Sequence, residues 1–418
     1  MMHMALGTDQ LLAGLRLVEA SAFVAAPLGG MTLAQLGADV IRIDALGGGL
    51  DYRRWPVTDA NVSLFWAGLN QGKRSVALDL GHAEGRELAM ALITAPGPDA
   101  GLLLTNFPPR GFLDFEALRQ RRPDLIQLTI MGDRHGSSAV DYTVNPKLGL
   151  PFLTGSGAAD AVVNHVLPAW DLITGHMAAV GLLAAERHRS RSGQGQQVTL
   201  ALEDMALAVM GHLGFIAEAQ HGRPRERIAN DLFGAFGRDF LSADGQRLMV
   251  VGLTPKQWRG LCAATGLGPA MQALAAELGL DLGHDPGSEG DRFRARERIA
   301  ALVGPWIAAR SLAQVAEAFD AHGVCWGRYQ TVAQLVQTDA ACSPANPMFS
   351  SIDQPGIGPC LVPGLPLAFS ALARQPARPA PRLGQHTEAV LAEVLGLPSA
   401  EIGRLVDRRV IARPLADG

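Results

Sequence analysis

Cysteine is scarce in this chain, and the four present (Cys262, Cys325, Cys342 and Cys360) form no Cys-x-x-Cys pair. They are too few for a disulfide scaffold and wrongly spaced for a thiolate zinc site, so a reducing cytoplasm is the expected compartment. A basic excess is also missing. The 36 Lys and Arg against 40 Asp and Glu leave a net charge of −4, which argues against a protein that coats nucleic acid. No run approaches the roughly 18 apolar residues of a membrane span. The first ten residues carry no basic stretch followed by an apolar one, so neither a signal peptide nor a membrane partner is expected.

Several catalytic signatures are absent too. There is no His-Glu-x-x-His and no His pair at helical spacing beside carboxylates, so no metal is expected. The phosphate-loop lysine motif is missing. Gly47-Gly48-Gly49 follows a strand without opening a helix, and Ser21 to Pro27 stand where a dinucleotide fingerprint would follow the first strand. That disfavours a nicotinamide enzyme. No Gly-x-Ser-x-Gly occurs, and Thr154-Gly155-Ser156-Gly157 reads as a turn.

What remains is ample core-forming material. The 418 residues are 48% apolar and 18% charged, enough for two or three domains with real cores. The 48 glycines and 26 prolines imply many tight turns. Short apolar strands at Leu15–Glu19, Val40–Ile43, Ser75–Leu80, Gly101–Thr105, Leu125–Ile130 and Gln197–Leu202 alternate with helical patterns. This predicts an α/β fold with a doubly wound parallel sheet, whose ligands sit at the carboxyl ends of its strands. Asn70, Asn106 and the loop after Ile130 lie at such ends.

Long helices are expected over Asp171–Arg189 and Met205–Ala219. A linker is expected at His221–Ile228, and a hairpin around Ala243-Asp244-Gly245. The predicted organisation is a large domain over 1–220, a smaller α+β domain over 225–330, and a segment 331–418 that returns to the large domain. Within that segment 331–380 reads as loop.

Asp171 stands out in Leu167-Pro168-Ala169-Trp170-Asp171, at the start of a long apolar helix. The bland reading is an N-cap, whose carboxylate accepts from first-turn amides. The chemical reading is a nucleophilic carboxylate at a helix end that favours developing negative charge. Both can hold.

The chain resembles the class III CoA-transferases, the formyl-CoA transferase and carnitine CoA-transferase group, over nearly its full length. The matching pieces occur in order: Ala26-Pro27 with Leu36 to Asp44, Asn70-Gln71-Gly72-Lys73-Arg74-Ser75, Asn106-Phe107-Pro108, Asp171, Gly193-Gln194-Gly195-Gln196 with Glu203-Asp204, and Leu383-Gly384-Gln385-His386-Thr387. Two departures stand beside them. The glycine-rich gating loop of formyl-CoA transferases is not evident near the linker, and Gln385 replaces the family's glutamate.

The resemblance implies that Asp171 is acylated by an acyl-CoA and then carries the coenzyme as a thioester. The implied branch moves coenzyme A within one methyl-branched unsaturated four-carbon diacid. Coenzyme A then belongs to the substrate, and no cofactor is permanently bound. By the same resemblance Val24, Ala25, Arg42, Lys73, Asn106, Phe107, Arg110 and Tyr142 contact the coenzyme, with Arg74 and Lys147 weaker candidates. Phe23, Arg54, His165 and Trp170 shape the acyl pocket. Trp55 and Trp66 are further candidate walls, and Arg53 a further partner for the free carboxylate. An interlocked homodimer is implied as well. Three other readings stay open: intermolecular transfer to a dicarboxylic acid, an acyl-CoA racemase, and a non-catalytic CoA-binding protein.

Overall fold

The computed structural model describes residues 10–156, 161–283 and 288–414. They fall into two compact units. One comprises residues up to 148, 166–217 and from 339 on; the other comprises 149–165 and 218–338. The excursion 149–165, expected in the large domain, thus groups with the smaller unit.

The larger unit is built on six strands: β1 (Arg16–Ala20), β2 (Asp39–Ala45), β3 (Arg74–Leu78), β4 (Leu102–Thr105), β5 (Ile126–Met131) and β6 (Gln196–Ala201). They lie in the order β3-β2-β1-β4-β5-β6, and every pairing is parallel. The inner strands are buried on both faces, hence their near-continuous apolar sequences. Helix Ala25–Gln35 and the long helix Ala169–Ser192 pack on one face with Leu17, Val40, Leu102, Leu104 and Leu128. On the other face, helix Ala83–Thr94 and the terminal helices Thr387–Leu395 and Ser399–Asp407 cover Val18, Ile41, Val76 and Leu103. The chain winds outward from β1 in one direction and from β4 in the other. The switch point between these two strands is where such sheets bind ligands.

The long helix is rich in Ala, Leu and Met, which favour helix, and ends where Gly193 turns left-handed at φ 71°. It starts at Ala169, two residues earlier than expected, so Asp171 sits inside the first turn instead of capping it. The expected single helix Met205–Ala219 is two, Leu202–His212 and Phe215–Gln220, because Gly214 adopts φ 82° between them.

The C-terminal Gly384-Gln385-His386-Thr387 stretch fastens onto β3. Thr387 Oγ1 accepts from Ala77 N at 3.0 Å, and His386 N donates to Ser75 O at 2.9 Å. His386 Nδ1 accepts from Ser75 N at 3.2 Å. Gln385 Oε1 accepts from Arg382 N at 2.8 Å, a local turn brace.

The region expected to be loop, 331–380, contains helix Val332–Thr338 and an antiparallel hairpin, β10 (Phe349–Gln354) with β11 (Gly358–Pro363). Adjacent Ser350 and Ser351 on β10 and the prolines on β11 hide its strand signal. The smaller unit carries the expected hairpin as β7 (Phe236–Leu241) and β8 (Arg247–Gly252), extended by β9 (Cys325–Arg328). Phe236, Trp258, Val303 and Phe319 lie in its core. Among the described residues no single helix is long and apolar enough to cross a membrane.

Candidate active site

A cleft of about 840 Å³ opens in the larger unit at the carboxyl ends of β1, β4 and β5. Phe23, Val24 and Ala25 follow β1, Asn106 to Pro109 follow β4, and Gly136 to Tyr142 follow β5. Asp171 enters from the first turn of the long helix. Two helices begin here, Ala25–Gln35 and Ala169–Ser192, so the amides of two first turns gather at one end of the sheet. That arrangement favours anions and developing oxyanions.

Two glycines set the distance between these helices. A Cβ on Gly175 would lie 2.6 Å from Ala25 O, and one on Gly29 would lie 2.9 Å from Gly175 O. The backbones therefore touch, and Asp171 is carried to the loop that follows β1.

That loop is firmly clamped. Asn106 binds Ala22 twice, accepting from its N at 3.0 Å and donating from Nδ2 to its O at 2.7 Å. Asp51 Oδ2 accepts from Phe23 N at 3.2 Å. So held, Phe23 takes φ 68°, a left-handed conformation rare for a bulky residue. Its ring, 40% exposed, faces the cleft. The Arg54 guanidinium lies 5.5 Å from the Phe23 ring centre and 5.2 Å from that of Phe65. Among the described residues it forms no ion pair or hydrogen bond. An unpaired guanidinium held on two aromatic faces can receive a carboxylate.

Asp171 accepts no side-chain hydrogen bond among the described residues. Burial first, and then the charge of Asp141, push its carboxyl up to about 6; Arg54 opposes them. The first-turn amides beside it are taken by Asp141. Asp141 Oδ2 accepts from Trp170 N at 2.7 Å and from Asp171 N at 3.3 Å. This replaces the capping role expected of Asp171. A cap supplied from another element leaves no mark in local spacing, which is why sequence reasoning missed Asp141. Phe65 was missed because only the fold brings its ring to the cleft beneath Arg54.

The other expected residues divide. Phe23, Val24, Ala25, Arg54, Asn106, Phe107, Tyr142 and Asp171 line the cleft, as does Trp55. Tyr142 is half exposed, and its hydroxyl donates to Val166 O at 3.4 Å. Arg110 is exposed one residue beyond Pro109. Trp170 is buried, with Nε1 donating to Asn145 Oδ1 at 3.3 Å, so it is core and not a pocket wall. Trp66 is core as well, edge-on to Tyr52. Lys147 pairs with Glu203 at 2.5 Å, and Arg74 with Asp39 and Glu393. His165 belongs to the smaller unit.

Arg42 and Lys73 do not face the cleft. In parallel register Glu19 of β1 stands beside Arg42 of β2, and Arg42 beside Ser75 of β3. Arg42 donates to Glu19 at 3.1 Å, Asp44 at 2.8 Å and Asp51 at 3.3 Å. Lys73 donates to Glu19 at 3.0 Å, to Asn70 at 2.8 Å and to Pro27 O at 2.8 Å. Burial lowers the Lys73 amine to about 8, with Glu19 opposing. Their charges neutralise interior carboxylates, and through Asp51 the cluster reaches the Phe23 amide. Among the described residues no group of three or more His, Cys, Asp or Glu is placed to hold a metal ion.

A model for CoA-transferase family III matches residues 12–387. Over 97% of the chain and 98% of the relative, the sequence is 59% identical to 2-methylfumaryl-CoA isomerase of Chloroflexus aurantiacus. It is 27% identical to succinyl-CoA:mesaconate CoA-transferase of Haloarcula hispanica, over 91% of the chain and 95% of that relative. The fold is similar to a crystal structure of a CAIB/BAIF family protein from Brucella suis, with a TM-score of 0.72, 24% identity, and coverage of 93% of this chain and 100% of that one.

Proposed function

The chain belongs to CoA-transferase family III, and from that premise we propose that it is an intramolecular CoA transferase, moving coenzyme A between the two carboxyl groups of mesaconate (2-methylfumarate). The observation that carries this reading is the pairing, in one cleft, of an unbonded carboxylate at Asp171 with an unpaired guanidinium at Arg54. One is suited to attack, the other to hold a second carboxylate. The high identity to a 2-methylfumaryl-CoA isomerase supports the choice of diacid.

In the proposed route, an Asp171 carboxylate oxygen attacks the thioester carbonyl carbon. The C–S bond breaks and its electron pair leaves on the coenzyme sulfur, giving a mixed anhydride. The thiolate then attacks the aspartyl carbonyl, releasing free mesaconate and leaving an aspartyl–CoA thioester. The other mesaconate carboxylate attacks that thioester, forming the second anhydride and freeing the thiolate again. Thiolate attack on the mesaconyl carbonyl regenerates Asp171 and yields the isomeric thioester. Anhydride and thioester are both activated, so each step exchanges acyl groups of similar energy and no further energy source is needed.

Val24, Ala25, Asn106, Phe107 and Tyr142 would border the pantetheine end of the coenzyme. Exposed Arg110 would meet its phosphates. Phe23, Trp55 and Phe65 would keep water from intermediates that hydrolyse readily. Mesaconate trapped beside Arg54 would react as if at very high concentration. The four cysteines are unpaired, as suits a reducing cytoplasm. A homodimer completes the proposal, and mass measurement in solution tests that part.

Incubating the enzyme with mesaconyl-CoA and carbon-13-labelled free mesaconate tests the transfer mode. Intramolecular transfer predicts that label stays out of the thioester pool while the two regioisomers interconvert. Rapid entry of label would make the enzyme an intermolecular transferase.

A further inference from the structure

The nucleophile does not have its helix end to itself. Asp141 is 1% exposed, and its Oδ2 receives the amides of Trp170 and Asp171 at 2.7 and 3.3 Å. Its Oδ1 is buried with no hydrogen-bond partner among the described residues. Two carboxylates thus meet at one set of first-turn amides, and only Asp141 is hydrogen-bonded by them.

We infer that Asp141 is a positioning residue that denies the Asp171 carboxylate its helix-end amides and repels its ionised form, and that acylation of Asp171 relieves this repulsion. The inference deepens the proposed route by assigning a source of its driving force. When an Asp171 oxygen bonds to the substrate carbonyl carbon, the C–S bond breaks and the negative charge departs with the coenzyme sulfur. The aspartyl group is then neutral, as anhydride and afterwards as thioester, while Asp141 keeps its charge and its amides. A charged aspartate bonded by those same amides would be stabilised in the resting state and would attack more slowly.

The surroundings leave few other charges to do this. Helix Ala25–Gln35 brings no titratable side chain to the contact. Helix Asp141–Lys147 brings Tyr142 and Lys147 besides Asp141, and Lys147 is paired with Glu203 of helix Leu202–His212. Asp204 of that helix is paired with Arg134. His176, on the long helix itself, lies 3.4 Å from Thr32 Oγ1. Burial, Asp141 and the opposing Arg54 are the influences that set the Asp171 carboxyl.

Carbon-13 NMR of the full-length protein labelled at aspartate carboxyl carbons tests this without substrate, with the Asp171 signal assigned by its loss in Asp171→Asn. In the parent protein that signal should titrate near 6. In Asp141→Asn, which keeps an oxygen to accept the amides but removes the charge, the midpoint should move to lower pH, and the acid limb of kcat/KM should move with it. An unmoved midpoint would overturn the inference, leaving Asp141 a purely structural cap. A second measurement stands even if that variant does not fold. Asp171→Asn mimics the neutral, acylated state. It should melt higher than the parent at pH 8, by roughly a few degrees, and lose that advantage near pH 5, where the parent carboxyl is already protonated. No gain at pH 8 would equally overturn the inference. Both readings are independent of whether mesaconate is the diacid, so failure of the transfer reading and failure of this one are distinguishable.

Discussion

Gly29 and Gly175 face each other across the contact between two helices, so close that a side-chain carbon on Gly175 would meet Ala25 O at 2.6 Å. One helix carries Val24 and Ala25 to the cleft and the other carries Asp171. The absence of two β-carbons therefore fixes the separation between the nucleophile and the amides that follow β1. Gly175→Ala should cost about 1–3 kcal/mol by overpacking. It should also lower kcat more than its loss of stability accounts for at temperatures where the protein stays folded. Denaturant titration and single-temperature kinetics, run together, check both parts.

Arg54 is expected to select for a second carboxylate. Its charge is unspent in the structure, and a charged hydrogen bond to a carboxylate contributes about 1.5–3 kcal/mol. Arg54→Gln should lower kcat/KM for mesaconyl-CoA by roughly 10- to 100-fold. It should leave binding of free coenzyme A nearly unchanged. Steady-state kinetics with coenzyme A as a competitive inhibitor separate the two effects.

The pH profile follows from Asp171. Attack requires the ionised form, and burial together with Asp141 raises this carboxyl to about 6. Its kcat/KM should therefore fall on acidification through pH 6, where an ordinary aspartate would hold its activity to near 4. The same group lowers folding stability above that range. Its folded form holds a proton that the unfolded chain releases, so its contribution to stability declines as pH rises from about 4 to 6. Rate and stability should thus change in opposite directions over that interval, as far as this one group determines them.

Arg42 and Lys73 are expected to matter for folding before binding. Removing one partner from a buried charge network typically costs about 3–5 kcal/mol because the others are left uncompensated. Arg42→Met should lower the melting temperature sharply, while coenzyme affinity of the remaining folded fraction should change little. Calorimetry and equilibrium binding of coenzyme A check the prediction. A large affinity loss in a variant with unaltered melting would return Arg42 to the coenzyme site.

The parallel sheet was readable because its inner strands are buried on both faces. Continuous apolar runs such as Leu102–Leu104 permit few other readings, and expected and observed strand limits differ by only a residue or two. The switch point, and with it Asn106 and the residues after β1, followed from the topology. Side-chain direction did not. Arg42 lies in a strand ending beside the cleft, yet its register next to Glu19 turns its charge inward. Asp141 acts on a helix that starts 28 residues later, and no local pattern marks a contact over that distance. The left-handed Phe23 was equally hidden, since bulky residues give no signal for a conformation imposed by Asp51 and Asn106. What the sequence did carry about Asp171 was its place at a helix start. Its carboxylate's lack of hydrogen bonds among the described residues, which matters for reactivity, came only with the fold.

The most direct measurement is the rate at which purified Asp171→Asn protein interconverts the two mesaconyl-CoA regioisomers, followed by chromatography after acid quench. Asparagine preserves shape but cannot form the anhydride, so turnover should vanish into the background. A borohydride or hydroxylamine trap should then modify the Asp171 peptide only in the parent enzyme. Interconversion by the variant at the parent rate would contradict covalent transfer through this side chain.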